Sequence, residues 1–72
     1  MVNVNKLKGK IVEKGYSIPE LAEKIGMDKA TIYRKIANGG EGFTIKEANA
    51  IAKSLELNHD EVNAIFFDQI VA

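Results

Sequence analysis

Seventy-two residues suffice for one small domain, and a chain of this length buries only about 60% of the surface its unfolded form exposes. Hydrophobic residues make up 46% and charged residues 28%, with no cysteine, a globular balance that excludes a disulfide framework and a thiolate zinc site. No apolar run approaches the roughly 20 residues of a membrane span, and the opening MVNVNKLKGK lacks the apolar stretch of a signal peptide, so a cytoplasmic protein is expected.

The first predicted helix runs from about Asn3 to Lys14, with Val4, Leu7 and Ile11 recurring at three and four. Gly15 supplies the left-handed residue that ends many helices. Ser17 and Glu20 form an S-x-x-E box that starts the second helix, whose apolar face is Ile18, Leu21, Ala22 and Ile25. Pro19 falls in its first turn, where a missing N–H is harmless. Gly26 ends it, and Met27 is placed to plug the core at the turn. Asp28 caps a third helix with Ala30, Ile32 and Ile36 as its apolar residues. Residues 38–42, Asn-Gly-Gly-Glu-Gly, then break any helix.

Phe43 precedes the next cap, where Thr44 and Glu47 repeat the box. The fourth helix carries Ile45, Ala48, Ile51, Ala52 and Leu55 on one side. Asn58 and Glu61 open a fifth with Val62, Ile65 and Phe66. The tail 68–72 either continues that helix or frays. No strand signal, low-complexity segment, linker or internal repeat is evident. The expectation is all-α: one domain over residues 1–72, a compact bundle of five short helices.

Formal net charge is zero, but it is divided unevenly. Residues 1–40 hold eight Lys or Arg against four acids, a net of +4, and residues 41–72 hold two against six, a net of −4. From Lys29 to Gly40 there are three cations and no acid. A basic face on a neutral protein points to nucleic acid.

Helices two and three read as a helix-turn-helix, whose second helix enters the major groove. Small Ala22 lets the helices approach, Gly26 makes the turn, and Ile32 locks the third helix down. Lys29, Ala30, Tyr33 and Arg34 then share the outer side and are the candidate base readers. Arg34 suits a guanine edge or a phosphate, Lys29 either of these, and Ala30 a thymine methyl. Tyr33 suits base and phosphate equally. Candidate phosphate contacts are Lys35 to the side, the amides of Asn38, Gly39 and Gly40, and the helix start at Ser17 and Ile18.

Residues 6–57 resemble the helix-turn-helix domain of the lambda-repressor-like, or Xre/Cro, family. The carrying pattern is Leu21-Ala22-x-x-x-Gly26-x-x-x-x-x-Ile32, and Ala30-Thr31-Ile32-Tyr33-Arg34-Lys35-Ile36 looks like small phage and mobile-element regulators. The resemblance implies a five-helix lambda-repressor-like fold and a double-stranded DNA operator. It also commonly implies a homodimer on a palindromic site. Base-reading positions carry over to Lys29, Ala30, Tyr33 and Arg34, and the phosphate loop to residues 38–43. Lys35 stands where many members have an apolar residue, with Ile36 serving instead, which leaves the rotation of helix three open.

The expected function is therefore a sequence-specific transcriptional regulator, a phage or prophage repressor or Cro-like protein. The alternative on the same scaffold is a protein-interaction module such as an antitoxin, anti-repressor or adaptor, with a protein partner. Phe66, Phe67, Ile70 and Val71 are candidates for a dimer contact, although Phe66 is read in the first place as completing the core. An enzyme is not expected. His59 is the single histidine and sits in a cap beside Asp60. Residues 39–42 lack the strand and lysine of a P-loop. No cofactor or metal is implied.

Overall fold

The computed structural model describes residues 2–67. They form α1 (Val4–Glu13), α2 (Ile18–Ile25), α3 (Lys29–Ala37), α4 (Ile45–Ser54) and α5 (His59–Phe66), with no strand among the described residues.

The boundaries are written locally. Asn3, Ser17, Asp28, Thr44 and Asn58 each adopt an extended backbone and accept a hydrogen bond from an N–H of the first turn. Three of these are reciprocal boxes, in which Glu20, Glu47 and Glu61 reach back to the cap N–H, each at 2.9 Å. Each cap contributes about 1 kcal/mol. The far ends of α1 to α4 share one pattern as well. Gly15, Gly26, Gly39 and Glu56 sit at positive φ, and the residue after each donates five residues back, to Ile11, Ala22, Lys35 and Ala52.

Leu7, Ile11, Leu21, Ala22, Ile32, Ile36, Ile51, Leu55, Ile65 and Phe66 form the core. α2 packs against both α3 and α4, and α1 packs against α5. α1 and α5 run antiparallel: the Asn3 N–H donates to the Ile65 carbonyl at 2.6 Å, and Lys10 pairs with Glu61. Phe66 is buried and meets Phe43 edge to face at 6.5 Å, so it completes the core. Ile45 departs from expectation, being 76% exposed. At about 100° per residue it lies to the edge of the stripe through Ile51 and Leu55, and as the first residue of α4 it has no preceding turn beside it.

A repeat is present after all. Residues 21–36 and 51–66 follow one pattern: Leu21, Ala22, Ile25, Met27, Ile32 and Ile36 correspond to Ile51, Ala52, Leu55, Leu57, Val62 and Phe66. Asp28 and Asn58 cap equivalent helices. Only Ala22 and Ala52 are identical across the two stretches, so letter matching conceals a correspondence that apolar spacing and turn geometry reveal.

Candidate nucleic-acid interface

The rotation of α3 is set from two sides. Ile32 and Ile36 are buried against the core. Lys35 lies on the flank, its ammonium 2.6 Å from Glu47 Oε1 and 5.8 Å from the centre of the Phe43 ring. Glu47 Oε1 also accepts the Thr44 N–H, so one carboxylate caps α4 and pins α3 to it. The Lys35 ammonium, followed by the Thr44 N–H, holds the Glu47 carboxyl below its ordinary value of 4.5.

With that rotation, Lys29, Ala30, Tyr33, Arg34 and Ala37 are all exposed along one stripe. Tyr33 keeps 48% of its surface accessible. Among the described residues, no ion pair or side-chain hydrogen bond engages Lys29, Tyr33 or Arg34. The two cations and the tyrosine are therefore available to an outside ligand.

The loop after α3 differs in chemistry from the sequence reading. The N–H groups of Asn38, Gly39 and Gly40 are not open to a phosphate, because they donate to the carbonyls of Arg34, Ile36 and Lys35 and so close the end of α3. Gly40 is buried as well. In this loop it is the N–H groups of Glu41, Gly42 and Phe43, immediately downstream, that have no acceptor among the described residues. The Asn38 side chain is exposed. Lys35 is likewise committed to Glu47 rather than standing free at the side.

At the start of α2, Ser17 is exposed, and its hydroxyl oxygen accepts the Glu20 N–H at 3.2 Å. The Ile18 N–H has no acceptor among the described residues, although its side chain packs on the core. Sequence reasoning passed over Lys46. It is exposed in the first turn of α4, across a groove from Gly26 and Met27 at the entrance to α3. Its signal was a cation two residues after a cap, on a helix read only for its apolar face. Ile70 and Val71 lie outside the described residues.

A short helix held at a fixed rotation, with its cationic side bare, is the working part of a helix-turn-helix protein. With the four other helices of the described residues around it, the fold is all-α and lambda-repressor-like. Residues 6–68 match the family model for the Cro/C1-type HTH DNA-binding domain, and the chain belongs to that family. It is thus a DNA-binding regulatory domain. No curated protein and no solved structure matches it. No helix among the described residues is long and apolar enough to cross a membrane.

Proposed function

We propose that the chain, as one domain over residues 1–72, is a sequence-specific transcriptional regulator of the repressor or Cro-like type carried by phages and prophages. It acts in the cytoplasm and performs no catalysis. The observation that supports this reading best is the bare stripe of Lys29, Ala30, Tyr33 and Arg34 on a helix whose opposite side is locked by Ile32, Ile36 and Lys35. α3 enters the major groove, Arg34 and Lys29 address base edges or the adjoining phosphates, and Ala30 meets a thymine methyl.

Phosphates on either side are met by N–H donors and cations. The Ile18 N–H and the Ser17 hydroxyl serve at the start of α2. Beyond α3, the Asn38 side chain, Gly39 and Gly40 shape a loop whose Glu41, Gly42 and Phe43 N–H groups make the contact, and Lys46 adds charge. Lys35 acts by holding α3 to Glu47. One copy covers a half-site, so two copies occupy a palindromic operator, with Phe67, 57% exposed at the end of α5, at their contact.

Selection of binding sites from a random duplex pool, followed by fluorescence anisotropy at two salt concentrations, tests the reading. Arg34→Ala should weaken binding to the selected site by about 1–3 kcal/mol and relax its sequence preference. Unchanged binding would remove the α3 stripe from recognition. An empty selection would move the function to a protein partner.

A further inference from the structure

Three residues of the α3–α4 connection, Gly39, Gly40 and Gly42, have φ of 76°, 82° and 90°. Such a segment has few side chains to hold it, yet Gly40 is buried. What covers it is Val2, ahead of α1. A methyl built on Gly40 would lie 2.7 Å from Val2 Cγ1 and nearer still to its Cβ, so the isopropyl group occupies the space that a side chain at position 40 needs. Val2 is itself anchored, since the next residue, Asn3, caps α1 and donates its N–H to the Ile65 carbonyl of α5.

Gly40 is also where the chain turns from bonds inside α3 to open donors. Its own N–H goes back to Lys35 at 2.8 Å, and the next three N–H groups have no acceptor among the described residues. Those three N–H groups follow directly on Gly40 in the chain. We infer that Val2 is a positioning residue for DNA binding: by filling the space over Gly40 it aims the Glu41–Phe43 N–H groups at a phosphate and couples the loop to α1 and α5. This rests on the DNA-binding mode proposed above.

The test uses the full chain with Val2→Ala and Val2→Gly, and with Leu57→Ala as a control for stability at the remote α4–α5 turn. Affinity is read on the selected duplex and on an unrelated one. Val2→Gly should weaken both by the same factor, roughly tenfold for one charge-assisted hydrogen bond, and leave sequence preference intact, as loss of a phosphate contact does. Val2→Ala should fall between. Gly40→Ala should bind worse still, and adding Val2→Gly to it should restore part of the loss, because the collision is relieved while the backbone strain stays.

In the free protein, the amide signals of Glu41 and Gly42 should move in the Val2 variants and not in Leu57→Ala. Val2→Gly binding within about twofold of the parent, an equal loss in Leu57→Ala, or no rescue in the double variant each overturns the role of Val2 while DNA binding stands. A parent chain that binds no duplex overturns both readings.

Discussion

α2–α3 and α4–α5 are built to one pattern and put to different use. In both, an alanine lies four residues before a positive-φ residue, a half-buried apolar residue follows, and a polar cap opens the next helix. Yet α3 folds back onto α2, whereas α5 takes α1 as its main partner. The divergence begins at the caps, with ψ of 132° at Asp28 and 175° at Asn58. It continues at the alanines: Ala22 is buried and Ala52 only half-buried. The outward positions part as well. Lys29, Ala30, Tyr33 and Arg34 in one unit correspond to His59, Asp60, Asn63 and Ala64 in the other. What separates α3 from α5 is therefore what its outer side carries and how closely its partner helix holds it, more than the turn.

The sharpest way to break this pairing is at the alanines. Ala22→Leu should destabilise by about 1–3 kcal/mol, since the added carbons have no room beneath α3. Ala52→Leu should cost less than about 1 kcal/mol, and urea unfolding of the two variants compares them. Equal losses would mean that α4 and α5 are packed as closely as α2 and α3.

The turns come next. A methyl on Gly26 meets no atom within 4 Å, so Gly26→Ala tests backbone strain alone. It should cost about 1–2 kcal/mol. Glu56, at φ 53°, already bears that strain. Glu56→Gly should therefore raise stability by ~0.5–1 kcal/mol, the relief partly offset by a freer unfolded chain. Opposite signs at the two turns are the expected signature in thermal melts.

The smallest effect separates the capping boxes. Glu47 is held below 4.5 first by Lys35, Glu61 first by the Asn58 N–H and then by Lys10, and Glu20 by the Ser17 N–H. A lowered carboxylate stabilises the fold above its ordinary value, and that contribution disappears as pH falls through the lowered one. Melting temperature should thus hold at neutral pH and decline below about 4.5, its ordinary value. Glu47→Gln should flatten the decline. Lys10, raised from 10.5 first by Glu61, acts at the other extreme: its contribution is complete below 10.5 and lost at more alkaline pH.

Element order was legible because each helix carries its own start and stop within a few residues. Ser17 with Glu20, Thr44 with Glu47 and Asn58 with Glu61 need no tertiary partner to be read. The rotation of α3 was not legible, because it depends on Lys35 finding Glu47 twelve residues away. The loop amides were misassigned for a related reason. Gly39 and Gly40 mark a helix stop by type, but only geometry shows that the stop takes up their own N–H groups and leaves the next three open. Val2 gave no signal at all, since its importance lies in a glycine thirty-eight positions later.

The hydrogen bond from Asn3 to Ile65 joins the two ends of the described chain. Docking α1 on α5 closes a loop of some sixty residues, whereas α2, α3 and α4 meet neighbours close in sequence. The entropy of that closure predicts that it is the late step of folding and the first to reverse on opening. Hydrogen exchange should accordingly resolve two cooperative units, with α1 and α5 exchanging together and faster than α2–α4. The α2–α3 unit would then survive transient opening of the pair that closes the fold.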